Sequence, residues 1–396
     1  MKEGDTSAVR RLPLTGLRLA PSQVWGSIRL VPVLRDDIPG DLRITRRSYD
    51  EDVSVVSLQG GLMEPGLHYV SYVPHGLVVD WDDKGTAVTA ETRLRKPEGK
   101  EGKSLKHGPF SSTRVLHRMV HREDKNRLRL LPMHLTMEGF LALYFGGPQV
   151  AWSEYSQEAL SQGLNPRSEW SSSGWASAAF AEALRIFELH ERQVGMLIFQ
   201  ADALLSCAIV SHPEDYRALH RALLEDFYGD LLVQYGFLGD VPVLGTGVED
   251  ASVNSMRDLR AAIERMRADW ADFMGFMAEG LIGAEVITSP LYEAGPFHLQ
   301  RFITGLSPSE ENHMGEAILR GDGTVEYLKT YRLSAAQTRR AYLLKQLAQG
   351  GWNLERTAEH LKTTRDELIV RLRNAGFGYL LKEHVLKAAE ARHARR

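Results

Sequence analysis

The stretch NLERTAEHLKTTRDELIVRLRNAGF, from Asn353 to Phe377, carries the clearest local folding signals of the 396-residue chain. Asn353 is a favoured helix cap because its side-chain oxygen accepts a hydrogen bond from a free backbone N–H. Thr364 is followed three residues later by Glu367, which is the spacing of a capping box at the start of a helix. The stretch therefore predicts two short helices in succession.

The same signals give the bounds of the two helices and of the turn between them. The first is predicted over Leu354–Leu361 and the second over Arg365–Ala375, separated by the turn KTT, and Gly376 supplies a stop signal. The buried stripe of the second helix is predicted as Leu368, Ile369 and Leu372. Two short helices joined by a three-residue turn form the helix-turn-helix arrangement, in which the second helix enters the DNA major groove.

A longer helix is predicted just before this pair, in LSAAQTRRAYLLKQLAQGG. Ser334 is its natural cap, and Gly350 and Gly351 form its stop signal. Its predicted apolar stripe consists of Tyr342, Leu343, Leu344 and Leu347. Residues 333–396 are thus predicted as an all-α module that ends in the basic tail KAAEARHARR.

Polar side chains of this module are candidates for DNA contacts. Arg365 and Arg371 would meet base edges or phosphates, because the arginine fork pairs well with both. Asn353, Thr363 and Thr364 would donate hydrogen bonds that position phosphates. The predicted DNA-contacting residues are Asn353, Thr363, Thr364, Arg365, Arg371 and Asn374.

Residues 335–377 resemble the Fis-type helix-turn-helix found at the C-terminus of many bacterial enhancer-binding regulators. The matching positions are Asn353, Thr357, Ala358, Leu361, Thr364, Arg365, Leu368, Arg371, Leu372 and Gly376. The resemblance implies binding of double-stranded DNA as a homodimer, with the Ser334–Ala348 helices at the dimer interface. A Walker-type loop, which the ATPase module of those regulators would need, is absent from the sequence.

Three positions depart from the Fis-type pattern. Trp352 is inserted before the capping asparagine, Lys362 replaces the glycine of the turn, and Glu367 stands where the family often has threonine. A carboxylate at that last position could accept a hydrogen bond from cytosine N4, but it would repel phosphate.

The preceding residues predict an α+β body with a largely antiparallel sheet. Short β-branched or aromatic runs separated by turn signals fill 12–94, which is predicted as the β-rich N-terminal part of the body. Residues 95–127 are rich in Lys, Gly and Ser and are predicted as a basic loop or linker. Residues 128–332 are predicted as a mixed α+β region that ends where the helical module begins.

Local signals predict the order of elements in the second half of the body. A helix in WASAAFAEALRIFELHE precedes two strands joined by a tight turn at Gln200–Asp202. Ser211 and Glu214 predict the capping box of the next helix. Its apolar stripe is predicted as Tyr216, Leu219, Leu223, Phe227 and Leu231. Another helix is predicted from about Ser255 to Met277, and RGDG predicts a hairpin between the last two strands.

The body resembles the bacterial ARPP domains, which are named for their association with ADP-ribosylglycohydrolase and rhodanese-phosphatase proteins. The resemblance rests on EALSQGL, RQVGMLIFQADALLSCAIVSHPEDYRALHRALLEDFYGDLL and GEAILRGDGTVEYL. Those domains are linked by gene neighbourhood to bacterial conflict systems and have no assigned chemistry. The resemblance implies a body that senses a ligand or contacts another protein.

Patterns for catalysis or metal binding are weak in this sequence. LGTGVED, Leu244–Asp250, lacks the third glycine of a dinucleotide turn and the Gly-Lys-Ser/Thr of a phosphate-binding loop. His117 and His121 are four residues apart, but neighbouring arginines would repel a cation. The polar residues of SHPED are consecutive and cannot converge on one reacting atom as a catalytic triad does. The sequence therefore predicts no enzymatic activity, no metal and no cofactor.

The net charge of −3 conceals a segregation of charge along the chain. Arg93–Arg129 contains twelve Lys and Arg against four Asp and Glu, and Arg339–Arg396 contains thirteen against six. Basic segments on an acidic remainder are typical of phosphate-binding surfaces. For the first segment, the sequence is compatible both with a nucleic-acid contact and with a solvated surface that binds nothing.

Cysteine usage and the termini indicate a compartment. The one cysteine, Cys207, excludes an internal disulfide and a thiolate zinc site. The N-terminus has no apolar signal segment, and no run approaches the length of a membrane span. The sequence predicts a cytoplasmic protein without a membrane partner.

Two classes of function fit these observations. The first is a DNA-binding protein, a transcriptional regulator of a bacterial conflict or stress system, with the α+β body as its sensor. The alternative is a scaffold of a bacterial defence complex that does not bind DNA and whose helical tail only dimerises. A third reading, an enzyme acting on a nucleotide-like ligand, would need a deep pocket with convergent polar side chains.

Overall fold

The structure is a computed structural model of the chain. It describes residues 8–50, 53–60, 63, 65–71, 77–78, 86–90, 94–95, 113–117, 129–130, 141, 144–146, 187, 189–223, 247–248 and 250–394. Outside these residues lie 175–186 of the predicted helix in WASAAFAEALRIFELHE, the stripe residues Phe227 and Leu231, and most of the basic segment 95–127. The end of that predicted helix, residues 189–191, is described and is not helical. Within that basic segment, Thr113–His117 forms a strand paired with Thr86–Ala90.

The described strands and helices run in separate blocks along the chain, which is typical of an α+β protein. The strands are β1 (Ala8–Arg10), β2 (Leu17–Leu19), β3 (Gln23–Trp25), β4 (Ile28–Arg35), β5 (Arg43–Asp50), β6 (Val53–Gln59), β7 (Leu67–Val70), β8 (Leu77–Val78), β9 (Thr86–Ala90), β10 (Leu94–Arg95), β11 (Thr113–His117), β12 (Arg129–Leu130), β13 (Gln193–Gln200), β14 (Ala203–Ile209), β15 (Val286–Ala294), β16 (Phe297–Thr304), β17 (Asn312–Arg320) and β18 (Val325–Leu333). The helices are α1 (Pro213–Ala222), α2 (Met256–Met277), α3 (Glu279–Ile282), α4 (Ala335–Gln349), α5 (Leu354–His360), α6 (Arg365–Leu372) and α7 (Glu383–His393).

A ten-stranded antiparallel sheet organises the body. Its order is β1-β15-β16-β17-β18-β14-β13-β4-β2, with β3 also paired to β4. Strand β4 from the N-terminal part therefore lies beside β13 from the second half of the body. A four-stranded sheet, β10-β7-β6-β5, is also antiparallel. The predicted α+β class with a largely antiparallel sheet is confirmed.

The large sheet buries apolar side chains on both of its faces. In β13, Met196 and Ile198 point to one face and Leu197 and Phe199 to the other, which is the period of two expected of a strand. The first face, here called the front face, shares one apolar cluster with the four-stranded sheet, α1 and helices α4–α6. The opposite back face is covered by the end of α2 and by α3. The central strands are therefore apolar on both sides, as expected for the middle layer of a three-layer body.

Both predicted hairpins of the body are present. The β13–β14 turn pairs Gln200 with Ala203 and places Ala201 in the left-handed region at φ 51°. In the β17–β18 turn, Gly323 has φ 91°, a backbone conformation that glycine adopts without steric cost. Strands β1 and β15 were not predicted, because VITSPLYEA carries a proline and polar residues in its middle.

The predicted cap of α1 is wrong by one residue. His212, not Ser211, occupies the N-cap, and its Nδ1 accepts a hydrogen bond from the backbone N of Glu214 at 3.2 Å. Ser211 is buried, and its hydroxyl donates to the carbonyl of Leu42 at 2.7 Å. The hydroxyl that the local sequence predicted as the helix cap is therefore engaged in a tertiary hydrogen bond to Leu42. The stripe Tyr216, Leu219 and Leu223 is buried as predicted.

A buried carboxylate connects the two sheets. Glu316 of β17 accepts hydrogen bonds from Tyr69 of β7 at 2.6 Å, from Ser71 and, at 2.8 Å, from Tyr327 of β18. Buried Lys329 is its cross-strand neighbour on β18. Burial of a charge is tolerated when it is hydrogen-bonded and lies near an opposite charge. The cluster therefore fixes the position of the four-stranded sheet on the front face.

Candidate nucleic-acid interface

The C-terminal helices begin without a linker at the end of the sheet. Strand β18 ends at Leu333, and Ser334 caps α4 in a capping box with Gln337. Leu344 and Leu347 of α4 join the front-face cluster, as does Ala358 of α5. The shared apolar cluster indicates that these helices are packed as part of the body.

The apolar stripe of α4 differs from the prediction at one position. Leu344 and Leu347 are buried as predicted, but Tyr342 is 41% exposed and Ala341 is buried in its place. An alanine on the inner side allows close approach of the neighbouring helix, and the larger tyrosine is left on the outer side.

Helix α5 and its entry have the predicted cap and an unusual turn. Asn353 Oδ1 accepts from the backbone N of Arg356 at 3.0 Å, which confirms the predicted N-cap. The inserted Trp352 and the preceding Gly351 both have left-handed backbones, at φ 58° and 63°. The backbone N of Trp352 donates to the carbonyl of Leu347 at 2.7 Å, so the insertion is absorbed in the closing turn of α4.

The turn between α5 and α6 is tight although it lacks the usual glycine. Lys362 takes a left-handed backbone with φ 48°, and the N–H of Thr363 donates to the carbonyl of Ala358 at 3.0 Å. A left-handed conformation costs a lysine more than a glycine. The tight turn between α5 and α6 is therefore formed at a local cost in backbone energy.

Helix α6 begins at Arg365 as the sequence predicts, but it ends at Leu372, three residues before the predicted end at Ala375. Thr364 and Glu367 form a reciprocal capping box, and Leu368, Ile369 and Leu372 are buried. A distorted turn over Arg373–Phe377 follows, with Gly376 at φ 83°. The guanidinium of Arg340 from α4 lies 4.9 Å from the ring centroid of Phe377, which ties this end of α6 to α4.

Helix α7 was not predicted as a separate element. The sequence predicted an all-α module with a basic tail to the end of the chain, and Glu383–His393 is a helix in which Ala389 is buried. It lies along α6 with two ion pairs, Arg392 to Asp366 at 3.0 Å and Arg373 to Glu390. The alternation of small and charged residues in KAAEARHARR is the sequence pattern that indicates this helix. Part of the predicted non-specific charge is therefore engaged within the molecule.

These contacts leave one side of α6 open to a ligand. Its buried stripe faces α4 and α5, and the side with Asp366 and Arg373 faces α7. Thr364, Arg371 and Asn374 are exposed and, with Glu367, recur at three-to-four spacing on the remaining side. Three predicted DNA-contacting residues are therefore together on one accessible face.

The other three predicted residues are placed differently. Arg365 lies beside α5, where its Nε is 2.8 Å from a carboxylate oxygen of Glu355. The hydroxyl of Thr363 donates to Glu367 Oε2 at 2.7 Å. Asn353 is exposed at the start of α5, with its side-chain oxygen engaged in the cap.

Glu367 uses its carboxylate for the local structure. Hydrogen bonds from the Thr363 hydroxyl and from the backbone N of Thr364 lower the pKa of Glu367 to about 2. The group is therefore ionised at neutral pH and adds a negative charge to the open side of α6. The oxygen that could accept from a cytosine already receives two donors.

The described residues contain neither a membrane-spanning helix nor a cluster of metal-binding side chains. No helix among them combines the length and apolarity that crossing a bilayer requires. No group of three or more His, Cys, Asp or Glu in that part of the chain is arranged to hold a metal ion.

Comparison with known proteins gives a family for the body. The ARPP-2 family model matches residues 12–295, from before β2 to just after β15, and this span does not include α4–α7. No curated protein and no solved structure matches the chain. The matched span is more than half of the chain, and it covers β13, β14 and α1, on which part of the resemblance of the body rests, whereas GEAILRGDGTVEYL lies beyond it. The chain belongs to the ARPP-2 family.

Proposed function

We propose that this protein binds duplex DNA through α5 and α6 and acts as a transcriptional regulator of a bacterial conflict or stress system. The observation that carries the proposal is the open side of α6, on which Thr364, Arg371 and Asn374 lie together. A short helix that follows a tight turn and exposes its polar side suits insertion into the major groove. The role is one of binding in the cytoplasm, without a catalytic step.

Charge supports the same surface. Arg339–Arg396 carries an excess of seven basic over acidic residues, thirteen against six, while the whole chain is acidic. Lys362 and Arg371, at the two ends of the open side, are exposed. Such a surface attracts phosphates, with Arg371 available to a base edge or a phosphate oxygen.

The body would serve as the sensing or interaction part. Strand β18 continues into α4 through a single capping residue, Ser334, and the two parts share apolar contacts on the front face. A change in the front-face packing would therefore move α4 directly. We expect a ligand or a protein partner of the body to cause such a change. When two copies bind the duplex, they form a homodimer with α4 at its interface.

A scaffold that does not bind DNA is the second candidate. Tyr342 is a large side chain exposed on the outer side of α4, where a second copy could cover it. In addition, Glu367 and Asp366 place carboxylates at the start of α6, which weakens the attraction for phosphate. On this account the helices of the tail only assemble the complex.

Substitution of Arg371 separates the two candidates. Arg371→Ala should weaken binding to a random duplex at low salt several-fold and lower the salt slope by about one, as expected for loss of one phosphate contact. Arg217→Ala is the matched control, because Arg217 is exposed on α1 of the body and lies outside the C-terminal helices. Binding would be followed by fluorescence anisotropy of a labelled duplex.

The double variant Arg365→Ala/Arg371→Ala tests the wider predicted set. We expect a further loss of affinity, part of it through release of Glu355 from its ion pair. Unchanged binding by this variant would remove the module as the DNA-binding element. Absence of any binding by the wild-type chain, together with a dimer that Tyr342→Asp dissociates, would favour the scaffold.

A further inference from the structure

Helix α2 has an outward side that the described part of the chain leaves largely uncovered. Its last turns are anchored, because Met274 and Ala278 belong to the back-face cluster. Two phenylalanines in the same region point outward, with Phe273 44% and Phe276 70% exposed. Large apolar side chains exposed close together on one helix mark a contact surface.

The charges of α2 are ordered against the helix dipole. Four arginines and two acidic residues lie in its first half, up to Arg267. Asp269 and Asp272 follow, with no Lys or Arg up to Met277, and Glu279 continues the acidic run. The dipole favours acidic residues near the N-terminus and basic residues near the C-terminus. Basic residues at the start of α2 and acidic residues at its end are therefore not stabilised by the dipole of their own helix. They would pair with a partner whose acidic and basic residues run in the reverse order.

An antiparallel second copy of α2 has that reverse order. A two-fold register that sets Arg265 opposite Asp269 of the second copy forms this ion pair twice. The same register sets Phe273 opposite the exposed Ala261, whose small side chain leaves room for a ring. Arg265, Asp269 and Phe276 lie on one side of the helix because their spacings are four and seven residues. In an isologous contact each patch meets itself, and this patch is self-complementary.

We propose that α2 is the surface through which the protein binds a second copy of itself, antiparallel and two-fold related. The apolar part of the contact comes from Phe273 and Phe276, and its register is fixed by the Arg265–Asp269 pair. Because α2 lies on the back face and α4–α6 join the front-face cluster, this contact leaves the open side of α6 uncovered. The proposal is independent of DNA binding and of the α4 contact, which the proposed function assigns to the DNA-bound form, so the free protein in solution dimerises through α2.

Charge reversal gives a direct test on the full chain. Multi-angle light scattering at low salt should give the wild type twice the 44.4 kDa mass of one chain. Arg265→Glu and Asp269→Arg should each raise the dimer dissociation constant by about tenfold or more, because like charges then face each other across the contact. The double variant Arg265→Glu/Asp269→Arg restores opposite charges and should recover the dimer.

Two further variants control for fold and location. Phe276→Asp should also give a monomer, whereas Met256→Glu should not, since Met256 is 66% exposed but lies about 140° around the helix from Asp269. Circular dichroism would show that each variant keeps its helices. A monomeric wild type, or a dimer that survives both single reversals, would overturn the proposal. A dimer lost in Tyr342→Asp but kept in the α2 variants would assign the contact to α4 instead.

Discussion

Glu367 serves the folding of α6 at a position where DNA binding would prefer a neutral residue. Its carboxylate receives the Thr363 hydroxyl and the Thr364 backbone N–H, and it stays ionised because these donors hold its pKa near 2. A lowered pKa of a carboxyl group means that its contribution to stability is present at neutral pH. That contribution is lost only as the pH falls through about 2.

Replacement of this carboxylate should strengthen DNA binding. Glu367→Gln keeps a capping-box residue, because glutamine also serves at the third helical position, and it removes one negative charge from the open side of α6. We expect duplex affinity to rise several-fold at low salt, with little change in the melting temperature. Glu383→Gln, at the exposed start of α7, is the matched control and should leave affinity unchanged. A lower affinity of Glu367→Gln would instead assign the carboxylate a direct role in base recognition.

At the scale of elements, Glu316 and its three hydroxyl donors join the four-stranded sheet to the large sheet. Tyr69 contributes the donor from the four-stranded sheet, and it is completely buried. The bond ends on a buried carboxylate, and hydrogen bonds to charged groups contribute more than those between neutral groups. Loss of a single one of these hydroxyls should therefore lower the stability of the contact between the two sheets.

Tyr69→Phe removes this donor and keeps the ring. We expect the free energy of unfolding to fall by roughly 1.5–3 kcal/mol, the usual range for a hydrogen bond to a charged group. Urea denaturation of the full chain would measure the change. Tyr342→Phe is the control, because Tyr342 is exposed and its substitution should cost much less. Equal costs for the two variants would show that the cluster does not connect the sheets energetically.

The elements also show which parts of the fold local sequence can predict. Caps and stops were predicted at Asn353, Thr364 and Gly376, because each depends on neighbours within three residues. The cap of α1 was misplaced because Ser211 bonds to Leu42, 169 residues away in sequence. The bounds and the position of helix α7 were not predicted, because they depend on tertiary contacts: Arg392 pairs with Asp366 of α6, and Glu390 pairs with Arg373 just after α6.

At the scale of the whole molecule, the class of fold was predictable but the pairing of distant strands was not. Alternating apolar runs and turn signals predict an antiparallel sheet, yet nothing local shows that β4 lies beside β13. For the candidate interface, the sequence predicted which residues are polar and exposed. It did not predict that Arg365 pairs with Glu355, since the angle between α5 and α6 is set by tertiary packing.

The molecule combines an ARPP-2 body with a helical end that is packed onto the same large sheet. The charge of the two parts differs, with the basic excess of 339–396 on an otherwise acidic chain. Binding of phosphates by that end would therefore depend strongly on ionic strength, because each contact releases counterions from the DNA.

The salt dependence of duplex binding by the full chain tests the proposed function most directly. Anisotropy titrations over a series of salt concentrations give the slope of log K against log salt, which is about −0.9 for each phosphate contact. We predict measurable binding at low salt with a slope steeper than about −2, as expected from more than two phosphate contacts. No binding at low salt, or binding with a slope near zero, would contradict the account.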